Sequence, residues 1–156
     1  MDTDSTPDAA SSTRGLPLLL PEHHVRLLSR CRDLLAAAYA DDSRELVTCW
    51  CELETELVDH MAAEEELILP RYAAHAPAEG QRIAADHARM RELLTPMGVE
   101  VELHESRASR LRQLVDTLEA HAAFEDAGMY PWAERNLGRD TRHLLGVRIG
   151  RWLRGT

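Results

Sequence analysis

Aromatic residues make up only 4% of this 156-residue chain, with a single Phe. Leu, Ala, Glu and Arg are abundant instead, a balance that favours helices over strands. No run of 18 apolar residues occurs, so no membrane span is expected. The first residues, MDTDSTPDAASSTRG, lack a basic segment followed by an apolar one, so they do not read as a secretory signal; acidic and polar, residues 1–16 read as a disordered tail. Cysteine is scarce: Cys31, Cys49 and Cys51 are odd in number and form no CxxC pair. They read as small apolar residues in a reducing, cytoplasmic setting rather than as redox or metal groups. Excess positive charge is missing too. The net charge of −9 argues against broad nucleic-acid binding, which needs a basic surface.

The length suits one domain with a real core. Pro17 and Pro21 precede a first helix from about Glu22 to Ala40, with Leu27, Leu28, Cys31, Leu34, Leu35 and Ala38 on one face. Asp41, Asp42 and Ser43 offer a turn and an N-cap. A second helix, about Arg44 to Leu69, has an inner stripe of Leu46, Leu53, Leu57, His60, Glu64, Leu67 and Ile68, and Pro70 sits near its end. The stretch to Pro77 and Gly80 reads as a break or short extension. A third helix spans about Gln81 to Leu94, ending near Pro96 and Gly98. A fourth starts between Val99 and Ser106 and runs to about Met129, with Leu103, Leu111, Leu114, Leu118, His121 and Glu125 inward. A short amphipathic helix, Asp140 to Leu153, closes the chain. The expected fold is all-α: an antiparallel up-down-up-down four-helix bundle over residues 17–138, followed by a basic C-terminal fifth helix over 139–156.

What the sequence does have is one pattern twice: HMAAEEELILPRY, with His60 and Glu64, and HAAFEDAGMYPWA, with His121 and Glu125. Residues four apart lie on one helix face, about 40° and roughly 6 Å from each other. An imidazole and a carboxylate so placed can grip one metal ion. Both pairs fall on apolar stripes, and a buried carboxylate needs compensation. A metal cation supplies it, as could an Arg partner or protonation. For one pair a structural ion pair is an equal reading; two pairs on different helices favour metal. His24 on the first helix and His87 on the third also face inward, with His23 on the flank near the rim. Four imidazoles and two carboxylates suit two transition-metal ions bridged by carboxylates. His75, His104 and His143 read as solvated or structural. Glu65, Glu66, Asp59 and Asp126 lie outward, where one could accept from an imidazole N–H. Tyr72 and Tyr130 read by default as packing at the bundle end, with a hydrogen bond to the site as the alternative.

In order, EHHVRLL, HMAAEEELILPRY, DHARMRELL and HAAFEDAGMYP resemble the hemerythrin-like (HHE cation-binding) domain family over about Leu18 to Asn136. The resemblance implies a bundle holding two non-haem iron ions, with Glu64 and Glu125 bridging and His24, His60, His87 and His121 as terminal ligands. Zn or Mn could satisfy the same residues. It implies O2, peroxide or NO as the small ligand. The oxygen carriers of the family have a second His four residues after the third-helix His, where this chain has Arg91, which cannot ligate as a guanidinium. They also space the last carboxylate five residues after its His, against four here. These departures tell against simple reversible O2 carriage and favour a more open or reactive centre.

The leading expectation is a di-iron protein that binds or senses O2 or a related oxidant. The alternatives are a di-iron enzyme consuming peroxide or reducing NO, an iron sensor or store, and a metal-free helical interaction module. The last helix carries Arg148, Arg151 and Arg154 among Leu144, Leu145, Val147, Ile149, Trp152 and Leu153. It is expected to pack on the acidic bundle, with binding to a protein partner or an anionic surface as the alternative.

Overall fold

A computed structural model describes residues 18–102 and 108–154, and every regular element among them is helical. The elements are α1 (Leu20–Tyr39), α2 (Ser43–Leu67), α3 (Leu69–His75), α4 (Pro77–Glu102), α5 (Ala108–Ala127), α6 (Met129–Asn136) and α7 (Arg139–Arg154). The N-terminal tail, Pro17, Leu103 and His104 lie outside the described residues; of the expected start of a fourth helix between Val99 and Ser106, Val99 to Glu102 belong instead to α4, and the rest lies outside the described residues.

The α1–α2 turn is as compact as its acidic residues suggest. Asp41 takes φ +55°, a left-handed conformation that Asp tolerates better than most residues. Asp42 caps α2 by accepting from the Glu45 N–H at 3.0 Å. Helix α2 ends sooner than the apolar pattern suggests. Pro70 lacks an N–H and its ring would collide with a carbonyl one turn back, so the chain breaks at Ile68 (φ −120°, ψ −55°) and restarts as α3. The second motif behaves alike: Gly128 breaks the chain ahead of Pro131, and α6 follows α5.

Two expectations about α4 are corrected. It begins at Pro77, so Gly80 lies inside the helix rather than in a break, and it runs through Pro96 and Gly98 to Glu102. An interior Pro costs about 3 kcal/mol. Here Leu93, Leu94, Met97 and Val101 carry the apolar spacing across it, all buried, and burying such side chains returns about 1.5–3 kcal/mol each. Gly80 permits a close approach: a Cβ there would stand 2.6 Å from the Ala73 Cβ of α3.

Helix α1 packs against α2 and α5, and α4 packs against the same two, which closes a ring of four. The core falls into two apolar clusters. One includes Leu27, Leu57, Met90 and Leu118; the other includes Leu20, Ile68, Ile83 and Met129. Along each helix of the ring the chain passes from one cluster to the other, and the residues at the crossing are polar: His24, His60 with Glu64, His87, and His121 with Glu125. Helix α7 packs on α1 and α2. Its Leu145 and Ile149 are buried, and Asp59 of α2 accepts from Arg148 Nε at 3.1 Å and Trp152 Nε1 at 2.6 Å.

Candidate metal centre

The six side chains at the crossing are no more than 2% exposed. Their ligand atoms form two overlapping groups: His24, His60, Glu64 and Glu125, and then Glu64, His87, His121 and Glu125. Within each group the atoms lie within 4.8 Å of one another. Both carboxylates belong to both groups, each standing one helical turn beyond its His on the same inward face.

Hydrogen-bond bookkeeping fixes where the imidazole lone pairs point. His24 Nδ1 lies 3.1 Å from Asp126 Oδ1 and His87 Nδ1 lies 2.9 Å from Glu65 Oε1, so each Nδ1–H donates outward and each Nε2 faces the centre. The Nε2 atoms of His24 and His60 are 3.0 Å apart; those of His87 and His121 are 3.2 Å apart. Two bare lone pairs repel at that distance, so a proton or a cation must lie between them. Burial alone would lower the pKa of His24, but Asp126, Glu125 and Glu64 push it up to about 9. His87 is likewise raised, against its burial, by Glu64 and Glu125. Burial pushes the Glu64 carboxyl up, yet His60 and His87 hold it well below the usual range, so it stays ionised.

Glu64 Oε2 and Glu125 Oε1 are nonetheless buried without a hydrogen-bond partner. Leaving such an acceptor unsatisfied costs about 1–3 kcal/mol, and more when charged. Orphaned carboxylate oxygens on the inner side of a ring of imidazole nitrogens fit a cation. Imidazole and carboxylate together suit Fe, Zn or Mn better than Ca or Mg, which prefer all-oxygen shells.

Outer partners hold this set in place. Glu65 accepts from His87 and also from Arg91, through Nη1 at 2.7 Å and Nη2 at 2.8 Å. Arg91 therefore turns away from the centre and braces a ligand indirectly. Asp86 Oδ2 stands 3.6 Å from His121 Nδ1, beyond hydrogen-bond reach, and that nitrogen is buried without a partner. Of the outward acids, Asp126 and Glu65 support imidazoles, whereas Asp59 and Glu66 pair with Arg148 of α7. His75 stacks on Trp132 with centroids 5.7 Å apart, and His143 is exposed; neither reaches the centre.

Three side chains differ from the sequence reading. His23 is fully buried instead of at the rim, with Nδ1 2.9 Å from His60 Nδ1 and Nε2 2.9 Å from Glu56 Oε1. Glu56, absent from the sequence reading, is also fully buried and stands one turn before His60 on the same face. Arg26 and Arg30 donate to it from α1 at 2.7 and 2.6 Å. Tyr130 is a member of the centre rather than end packing. Its hydroxyl donates to Glu64 and lies 3.1 Å from His24 Nε2 and 3.3 Å from Glu125 Oε2. Burial and the two carboxylates push its pKa well above the ordinary value, so it stays protonated there. Tyr72 packs on Trp132, as expected. The signal that separates the two tyrosines is their offset: Tyr130 precedes Pro131, while Tyr72 follows Pro70 by two.

A family model described as the hemerythrin HHE cation binding domain matches residues 19–133. No curated protein and no solved structure matches the chain.

Proposed function

We propose that this chain, which belongs to the hemerythrin HHE cation-binding domain family, is a non-haem di-iron protein that binds or senses O2 or a related small oxidant. One observation carries the reading: two groups of buried ligand atoms share Glu64 and Glu125, as two carboxylate-bridged ions require. His24 and His60 would hold one iron, His87 and His121 the other. Two adjacent irons would supply an open position for O2, peroxide or NO and a reservoir of two electrons. The protein's part is to keep Glu64 ionised, to bring the Nε2 atoms of His24, His60, His87 and His121 inward, and to exclude bulk water. Leu57, Met61, Met90 and Leu118, below the centre, and Ile68 and Met129, above it, are buried and do the last.

A second reading, an enzyme that consumes peroxide or reduces NO, is favoured by Tyr130. A hydroxyl that keeps its proton beside Glu64 and Glu125 would be placed to donate a hydrogen bond to an oxidant held at the centre. The ring of four is further read as an up-down-up-down antiparallel bundle. The alternating order of the two apolar clusters along α1, α2, α4 and α5 supports this. In the same reading the bundle spans residues 17–138, between a tail of residues 1–16 and the basic C-terminal helix of residues 139–156. Three unpaired thiols support a reducing, cytoplasmic setting. A protein partner at α7 would meet its outward side, where Leu144 and Val147 are 54% and 55% exposed.

Elemental analysis of protein purified without chelator from iron-replete cells tests the reading, with about two irons per chain expected. Near-absence of metal would leave only a metal-free interaction module. Stopped-flow spectra with O2, H2O2 and NO then separate a lasting adduct from turnover; rapid multiple turnover of peroxide would select the enzyme.

A further inference from the structure

The di-metal reading leaves two fully buried polar residues without a task, His23 and Glu56. Burying an ionised carboxylate is costly unless it is paired and hydrogen-bonded. Glu56 meets that condition through Arg26 and Arg30, whose side chains are 19% and 21% exposed and reach from the surface inward. Burial raises the Glu56 carboxyl, but His23, Arg26 and Arg30 more than offset this and hold it low. The anchor is therefore an anion and can only accept.

The direction of every proton along this arm follows. Glu56 Oε1 accepts from His23 Nε2–H. An imidazole that carries its proton on Nε2 offers Nδ1 as an acceptor. His60 Nδ1–H donates to that atom at 2.9 Å, which leaves His60 Nε2 as the lone pair facing Glu64 and His24. His24 and His87 take the same support directly from carboxylates.

Resting on the di-metal reading, we propose that His23 is the positioning residue for His60: anchored on Glu56, it fixes the tautomer and ring angle that allow His60 Nε2 to ligate. A purely space-filling role at position 23 would be met by any side chain of similar volume. A positioning role needs an acceptor at the place of Nδ1. Asn offers one, because its Oδ1 falls near the imidazole Nδ1. Gln places its amide near Nε2, within reach of Glu56 and out of reach of His60.

The test is a zinc and ferrous-iron titration of metal-stripped full-length protein carrying His23→Leu, His23→Asn or His23→Gln. The wild type binds two ions. In the Leu and Gln variants one of the two sites is expected to weaken by about 10–100-fold while the other is unchanged, the usual cost of losing an outer partner. The Asn variant should recover most of that loss. In zinc-loaded, 15N-labelled protein, His60 should carry its proton on Nδ1 in wild type and the Asn variant. Should the Leu variant fail to fold, the Asn and Gln variants, both polar, decide alone. Equal affinities for Asn and Gln, or wild-type binding in all variants, overturn the proposal. A wild type that takes up fewer than two ions instead overturns the di-metal reading itself.

Discussion

The half of the centre built on His24 and His60 and the half built on His87 and His121 share both carboxylates but stand on different supports. In the second half, the carboxylates behind the imidazoles are Glu65 and Asp86, each about a third exposed, with Arg91 bracing Glu65 from the surface. In the first half, His60 is reached through a second imidazole and a fully buried Glu56, and Tyr130 adds a hydroxyl. The place equivalent to Tyr130 beside the other motif, five residues after Glu64, holds Leu69. A repeated His-to-Glu step thus yields two similar ligand sets in unlike surroundings. Redox potential and ligand access depend on those surroundings as much as on the ligands, so the two positions are expected to differ in both.

The largest expected effect tests what the halves share. Glu64→Ala or Glu125→Ala should each empty both positions, with metal content falling to well below one ion per chain, whereas His75→Ala and His143→Ala keep the wild-type content. Equal metal content in all four variants would falsify the ligand assignment. Next comes a change confined to one half. His121→Ala should lower the count toward one ion per chain, and His60→Ala should leave the complementary ion. Mössbauer spectra of the two iron-loaded variants should then show different single sites; identical spectra would erase the inequivalence drawn above.

Tyr130→Phe removes one donor from the first half. It is expected to keep both ions but to weaken NO binding to the ferrous protein by about tenfold, the worth of roughly one hydrogen bond to a charged or polar partner. Unchanged NO affinity would reduce Tyr130 to packing. Outside the centre, Asp59→Ala strips the acceptor shared by Arg148, Arg151 and Trp152 of α7. A loss of about 1–3 kcal/mol should lower the melting temperature by about 3–10 °C with metal content intact. The smallest effect is expected at Arg91. Its side chain is 41% exposed, so Arg91→Leu should cost no more than about 1 kcal/mol and change metal affinity less than fivefold.

The legible parts of the molecule were those governed by helical period. Leu27, Cys31 and Leu34 of α1, and Leu53, Leu57, His60 and Glu64 of α2, lie buried along one face, as their spacing implies. The boundaries were less legible. Pro96 looked like a stop and is not one, because the apolar positions on either side of it keep α4 in the core. Pro70 and Pro131 do interrupt, since Ile68 and Gly128 yield at the helix ends next to them. Glu56 carries no signal along the chain and Tyr130 only an ambiguous one, for a common reason. A lone Glu on a helix is normally solvated, and a Tyr beside a Pro normally packs at an end. Only the partners brought by other helices, Arg26 and Arg30 for one and the two carboxylates for the other, give them a different role.

By itself, then, the sequence determined an all-helical chain and six inward-facing His and Glu side chains, the candidate ligands, because a period of 3.6 converts spacing into a face without reference to any neighbour. Which outer groups stand behind those ligands was decided only by tertiary structure. Asp126 meets His24 across 102 residues, and Tyr130 meets it across 106. Hydrogen bonds act over about 3 Å, so their partners depend on how one helix is turned against another, and no spacing along a single helix records that rotation.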